Sequence, residues 1–267
     1  MSTAATYAGS VPEHYESSLG PILFEPYAQA LAALVPEGAG QLLELACGTG
    51  RLTRHLLPRL PAGGTLEASD LNPDMLAVAK RLLQDPRLRW SVADAQELPF
   101  AEGRFDAVLC GFGLMFVPDK PKALREMHRV LRPGGRLLAT TWDSMAQNPR
   151  AAIIAEVMEE VLGPAAPDFL SVGPYSLYDA ELLHGLLQAA GFRAVRIEKR
   201  ALESRCTDAA ALVNGYVDGS PLGQYLDRKG GHLRAMIKKR LLDAFGRQSK
   251  IYGTRVPMQA LLIEASK

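Results

Sequence analysis

The residues of this chain best placed to do chemistry lie in Leu42-Leu43-Glu44-Leu45-Ala46-Cys47-Gly48-Thr49-Gly50, followed 20 positions after Gly50 by Asp70. The apolar run fits a strand buried on both faces, and the glycines behind it let main-chain amides approach a ligand closely. Asp70 follows a second expected strand, Thr65 to Ser69, where a short carboxylate can accept both hydroxyls of a ribose. Together these features describe a nucleoside-binding crevice. A dinucleotide-binding turn would add a third glycine for close helix packing, and this chain has Arg51-Leu52-Thr53 instead.

The elements that must hold these residues follow in order along the chain. Val92-Ala93-Asp94-Ala95 comes after a third strand, Arg104-Phe105-Asp106-Ala107-Val108-Leu109-Cys110 reads as a fourth, and Arg132-Pro133-Gly134-Gly135-Arg136-Leu137 leads into a fifth, Leu137 to Trp142. Between them, apolar residues keep helical spacing at Leu52, Leu56 and Leu57, at Met75, Leu76, Ala79, Leu82 and Leu83, and at Leu124, Met127, His128 and Leu131. His128 falls on its stripe and reads as a core histidine. Asn72-Pro73 has the form of a helix cap followed by a first-turn proline. Strands alternating with helices predict a doubly wound α/β sheet.

At these motifs the chain resembles the class I S-adenosylmethionine-dependent methyltransferases, and within them the branch similar to ubiquinone/menaquinone C-methyltransferases. The resemblance covers roughly residues 40 to 143 closely and the end of the chain more loosely. It implies a seven-stranded, Rossmann-like sheet whose last strand is antiparallel and inserted beside the fifth, with S-adenosyl-L-methionine as cofactor and S-adenosyl-L-homocysteine as product. It also implies that Glu44, Ala46, Gly48, Gly50 and Gly111 surround the methionine moiety, Glu44 standing where many members carry Asp. By the same resemblance Asp70 holds the ribose, Leu71 and Met75 lie against the adenine, and Asp94 takes the adenine amino group with Ala95 beside it.

Each acidic position also has a purely structural reading. Glu44 inside an apolar strand can be a carboxylate paired to a lysine or arginine; left unpaired it is costly to bury, and a cationic ligand group would relieve it. Asp94 can cap the short turn before Gln96-Glu97-Leu98-Pro99.

Methyl transfer from a sulfonium is an in-line displacement whose barrier falls mainly through positioning and exclusion of water, so no fixed catalytic residue is expected. Tyr15, Met115, Phe116 and Trp142 are the candidates for the acceptor pocket, with Tyr15 and neighbouring His14 as weak candidates for a base. These walls are apolar or aromatic and favour an uncharged or weakly charged acceptor.

Beyond the fifth strand, Asn148-Pro149 opens a helix striped by Ile154, Val157, Met158, Val161 and Leu162 and stopped by Gly163-Pro164. Another helix carries Leu182, Leu183, Leu186, Leu187 and Ala190 up to Gly191. Val195 to Glu198 alternates as a sixth strand, and Arg255 to Ile263 reads as a seventh. The expected organisation is a single domain: an N-terminal helical cap over 1–36 with Tyr7, Tyr15, Phe24 and Tyr27, a cofactor-binding core over 37–143, a lid insertion and helix over 144–190, final strands at 191–202 and 254–267, and a second helical insertion at 203–253. The insertions emerge at or near the strand ends that bind ligands in open α/β sheets, and so roof the site.

Composition narrows the partners. Lysine plus arginine, 30, nearly equals aspartate plus glutamate, 29, so the basic excess of a phosphate-backbone binder is missing. Three cysteines, Cys47, Cys110 and Cys206, form neither a disulfide framework nor a metal-ligand spacing. No apolar run approaches the ~18 residues of a membrane span, and the N-terminus has no basic leader. The expectation is therefore a cytoplasmic S-adenosylmethionine-dependent methyltransferase acting on a small aromatic or apolar metabolite, without metal, nucleic acid or membrane span. Its oligomeric state stays open, a homodimer included. The alternatives are a nicotinamide-dependent oxidoreductase, for which Tyr225 and Lys229 have the Tyr-x-x-x-Lys spacing but lie late in the chain, and a cofactor-binding regulatory protein without turnover.

Overall fold

Leu42 and Leu43 enter different hydrophobic clusters on opposite faces of one sheet, and the same alternation runs through Ala107 and Val108 and through Leu138 and Ala139. Strands with both faces covered must be apolar at every position, which is why β1 (Gln41–Leu45) and β4 (Phe105–Gly111) read as near-continuous apolar runs. The computed structural model describes residues 9–267. Residues 1–8, with Tyr7 of the expected cap, lie outside the described residues.

Among the described residues one sheet contains β1, β2 (Thr65–Asp70), β3 (Leu88–Val92), β4, β5 (Leu131–Trp142), β6 (Arg193–Arg205) and β7 (Arg255–Ser266), in the order β3-β2-β1-β4-β5-β7-β6. The first five pair in parallel, and β7 is antiparallel between β5 and β6. The order reverses at β1, so β1 and β4 open a crevice beyond their carboxyl ends, the position at which doubly wound sheets take ligands.

The N-terminal segment forms α1 (Val11–His14), a π-helical stretch (Tyr15–Phe24) and α2 (Glu25–Ala32) without a break. The wide turns contain Pro21, which lacks the N–H of a regular ladder. α3 (Thr53–Leu56) follows the glycine-rich turn, and α4 (Pro73–Leu82) is capped by the Asn72 side chain, which accepts from Asp74 N at 2.8 Å with Pro73 in the first turn. α5 (Lys120–Val130), α6 (Pro149–Leu162), the short α7 (Phe169–Val172) and α8 (Ala180–Ala189) complete the region before β6. α9 (Ala209–Asp218), α10 (Pro221–Lys229) and α11 (Gly231–Tyr252) fill the connection between β6 and β7.

Two strands are longer than their sequence patterns. β5 begins at Leu131, not Leu137, because a register shift after Phe105 accommodates Pro133-Gly134-Gly135, with Gly134 at φ +79°. β6 runs to Arg205, not Glu198, paired with β7 down to Arg205 opposite Arg255. Its outer edge bears Arg196, Glu198, Lys199 and Arg200; such charges protect an edge strand and also blur its alternation. His128 is half-buried, its ring edge-on to Phe192 at 5.1 Å, a packing role. Among the described residues no helix is long and apolar enough to cross a membrane, and no cluster of side chains can hold a metal ion.

Candidate active site

The crevice is built by two turns that lock into each other. Ala46, just past β1, has φ 53°, and Phe112, just past β4, has φ 55°, a left-handed backbone that side chains rarely adopt. A Cβ on Gly113 would collide with that of Ala46, so the two turns touch where only glycine fits. Strained backbone of this kind persists where the surrounding structure over-determines it.

Glu44 sits at the floor, 1% exposed, and accepts the Thr53 hydroxyl from α3 at 2.7 Å. Burial pushes its carboxyl up to about 8, against the Thr53 hydrogen bond, and the neighbouring Asp70 charge adds to the rise. Asp70 Oδ2 accepts from Gly48 N at 2.7 Å and Oδ1 from Asn72 N at 2.8 Å, while burial raises its pKa against these amides. Among the described residues neither carboxylate has a cation within ion-pair distance. The site therefore holds one buried and one half-buried acid satisfied only by neutral donors, an arrangement that attracts a cation.

The opposite wall comes from the N-terminal helix. Tyr15, Phe24 and Tyr27 face Glu44, Gly48 and Gly111 across a cavity of about 50 Å³. Phe24 lies 5.3 Å from both Tyr15 and Phe112, and Phe112 stacks on Trp142 at 4.3 Å. The Tyr27 hydroxyl donates to Arg200 O at 2.9 Å and Met258 O at 3.0 Å, fastening the helix to β6 and β7. Charges fasten its other side: Glu16 pairs with Arg51 at 2.7 Å and Arg54 at 3.0 Å, and Glu25 with Arg51 at 3.0 Å and His55 at 2.7 Å. So narrow a crevice, under so many ties, has its cap closed.

Of the residues singled out in the sequence, Glu44, Ala46, Gly48, Gly111 and Tyr15 line this cavity. Gly50 faces away from it: at φ +85°, its added Cβ would lie 2.6 Å from Leu83, so it serves packing of the turn on α4. Leu71 is 60% exposed, and Met75 is buried in the first turn of α4. Asp94 Oδ1 accepts from Gln96 N at 2.8 Å, capping its own turn, with half-buried Ala95 beside it. Trp142 is buried behind Phe112, Met115 is buried in the core, Phe116 is 42% exposed, and His14 is exposed. Tyr225 and Lys229 lie together on α10 outside this cavity, the ammonium 5.8 Å above the ring. Cys47 and Cys110 are buried thiols, the latter pushed up to about 12 by burial, which makes them inert packing groups.

Thr49, within the glycine-rich motif but assigned no role by it, also lines the cavity, as do Arg51, Phe112 and Thr140, which no motif in the sequence marked. Phe112 directly follows Gly111, but its left-handed turn goes with the close approach of Gly113 to Ala46, far away in the sequence.

Comparison with known proteins agrees with this geometry. The family described as a methyltransferase domain matches residues 43–139. The chain is 33% identical over 193 residues to the ubiquinone/menaquinone biosynthesis C-methyltransferase UbiE of Idiomarina loihiensis, covering 66% of this chain and 73% of that protein. It is 34% identical over 171 residues to the protein of the same name from Desulfotalea psychrophila, covering 61% and 69%. In fold it is similar to the phosphoethanolamine N-methyltransferase 2 of Haemonchus contortus, solved in complex with S-adenosyl-L-methionine, with a TM-score of 0.62 and 19% identity over 98% of this chain and 57% of that one. The chain belongs to the class I S-adenosylmethionine-dependent methyltransferases, in the branch of the ubiquinone/menaquinone C-methyltransferases.

Proposed function

We propose that this enzyme transfers the methyl group of S-adenosylmethionine to a small, aromatic or apolar metabolite in the cytoplasm. The observation that carries the reading is the buried, cation-free Glu44 facing an aromatic wall across one crevice, with half-buried Asp70 on the neighbouring strand holding the Gly48 amide of the same crevice. The cofactor fits these residues by charge. It brings an ammonium, a sulfonium and a carboxylate, and the crevice offers Glu44 together with Arg51, whose Nε is buried without a protein acceptor, while Asp70 stands behind Gly48.

In this reading Glu44, Ala46, Gly48 and Gly111 hold the methionine moiety, with Arg51 toward its carboxylate, and Gly50 keeps the turn in place. Asp70 takes the ribose hydroxyls, Leu71 and Met75 flank the adenine, and Asp94 with Ala95 meets its edge. The bound cofactor supplies an electrophilic methyl group on sulfur. The chain's own contribution is to exclude water with Tyr15, Phe24, Tyr27 and Phe112 and to fix the line of approach, which is how most of the barrier to such a displacement is removed. Tyr15, on the cavity wall, is the residue placed to contact a polar atom of the acceptor; exposed His14 is not.

Of the expected cap the described residues 9–36 cover the crevice, 37–143 form the cofactor-binding core, and 144–190 and 203–253 the insertions that complete the acceptor side, where Trp142 is a wall. Nucleic acid is not the acceptor in this reading, because the crevice is apolar and acidic. The test is titration calorimetry with S-adenosylmethionine followed by detection of S-adenosylhomocysteine across a panel of aromatic and aliphatic metabolites. Absence of cofactor binding, or methylation confined to RNA or protein, overturns the reading.

A further inference from the structure

Arg150 is 6% exposed, and its Nε and Nη1 are buried with no protein acceptor within hydrogen-bonding distance. It forms no ion pair with any described residue. A buried guanidinium without a counter-charge is among the most unfavourable arrangements a fold can keep, and replacing it by an apolar side chain would ordinarily be an improvement. Its place in the chain makes matters worse. Arg150 is in the first turn of the 14-residue α6, whose N-terminus already carries the positive end of the helix dipole. The Asn148 side chain does not cap that end; it turns instead to Asp143 O, Ser144 O and Gln259 O at 3.0–3.2 Å.

What Arg150 faces is a cavity of about 10 Å³ lined also by Leu23, Trp142, Tyr175 and Tyr216 and by the polar Asn148 and Ser204. The cavity lies directly behind the crevice. Trp142 lines it, and Phe112, stacked on Trp142 at 4.3 Å, lines the crevice. Leu23 and Phe24, consecutive on the N-terminal helix, face the two spaces in turn. That helix is thus a wall shared by both spaces. Tyr175 stacks parallel to Trp142 at 6.1 Å, so the guanidinium is set at the end of a box of rings. Burial lowers the Arg150 pKa, yet an arginine keeps its proton in such a setting, so the positive charge stays.

We infer that Arg150 is a specificity residue that receives a carboxylate on the acceptor, so that the substrate is an aromatic or apolar monocarboxylate and not a neutral molecule. The inference rests on the methyltransferase reading above and sharpens its substrate. Among the described residues Arg150 is the one charged side chain lining this cavity, and one guanidinium matches one monoanion; a phosphate dianion would leave charge uncompensated. It also departs from the uncharged acceptor that the aromatic residues alone suggest.

The test compares three acids with their neutral amides, benzoate, 2-naphthoate and 4-phenylbutyrate, binding to the full chain with and without S-adenosylhomocysteine, followed by calorimetry. At least one acid should bind about tenfold more tightly than its amide, the size of effect a buried charge-assisted pair gives. Arg150→Met and Arg150→Gln should erase that preference while the affinity for S-adenosylhomocysteine stays within about twofold and the melting temperature is unchanged or higher. No preference in any of the three pairs overturns the assignment, as does a preference that survives Arg150→Met. Failure of both variants to fold gives the guanidinium a structural role and also overturns it. Loss of S-adenosylhomocysteine binding by the unmodified protein is a different result, since it defeats the methyltransferase reading and leaves the acid preference to be read on its own.

Discussion

Glu16 Oε2 accepts the Thr49 hydroxyl at 2.6 Å, so the N-terminal helix is tied to the glycine-rich turn itself. The same carboxylate pairs with Arg51 in the turn and with Arg54 on α3. A cap held this way has to release these bonds before a nucleoside can enter a crevice of about 50 Å³.

Glu16→Ala should therefore speed both entry and escape of the cofactor. The lost charge-assisted bonds are partly buried, and their removal should destabilise the protein by about 1–2 kcal/mol. Stopped-flow measurement of S-adenosylhomocysteine association and dissociation checks the first effect, and urea denaturation the second. Unaltered rates in a destabilised variant would mean that the ties serve only stability.

Glu44 gives a pH dependence with a definite sign. Its ordinary value is 4.5 and the folded value is about 8, so between those limits the folded protein holds a proton that the unfolded chain has released. Stability contributed by this group is therefore greatest at low pH and declines as pH rises toward 8. Glu44→Gln should flatten the decline between pH 5.5 and 8 in denaturation experiments; parallel slopes for the two proteins reject it. A cationic ligand beside Glu44 favours its ionised form, so cofactor binding at pH 7 should release a proton, seen as a dependence of the calorimetric heat on buffer, and Glu44→Gln should abolish it.

The two turn glycines should separate packing from ligand approach. Gly50 has φ +85° and would place a Cβ 2.6 Å from Leu83, whereas Gly48 has φ +56° and nothing within 4 Å. Gly50→Ala should cost about 2–3 kcal/mol of stability and Gly48→Ala about 1 kcal/mol, the strain of the left-handed backbone alone. Gly48→Ala should nonetheless weaken cofactor binding, because its methyl group enters the crevice. Equal stabilities with equal affinities would refute the division.

Asp70→Ala should weaken S-adenosylmethionine binding by about 1.5–3 kcal/mol, ten- to hundredfold, through loss of a charged acceptor for two hydroxyls. Asp70 also anchors Gly48 N at 2.7 Å, so the variant should show faster amide exchange at Gly48. Full affinity in a folded variant removes the ribose role.

Local chemistry made the central sheet legible in the sequence. The runs at β1 and β4, the Asn72-Pro73 cap and the Asp70 strand end each carry a signal within a few residues. The antiparallel placement of β7 came from resemblance, because no local pattern states which strand a neighbour pairs with. Phe112, Arg51 and Arg150 were out of reach for a related reason. Their significance lies in what stands opposite them, Trp142 for one, Glu16 and Glu25 for another, and for Arg150 the lack of any acidic neighbour. An arginine near the start of a helix looks, in sequence, like a solvated surface residue.

The connection between β6 and β7 leaves and returns through one doorway: Arg205 pairs with Arg255, and Cys206 N donates to Thr254 O at 2.9 Å. Everything between, α9 to α11, packs into the main core through Leu212, Val213, Leu226, Ile237 and Phe245, and reaches the cap where a Cβ on Gly215 would lie 2.9 Å from Ser18. A segment whose ends already meet can be lengthened, shortened or exchanged with little effect on the register of the strands that hold it. With both ends fixed at β6 and β7, a change in the length of this segment is absorbed in its own helices and leaves the strand ends that carry Glu44 and Asp70 where they are.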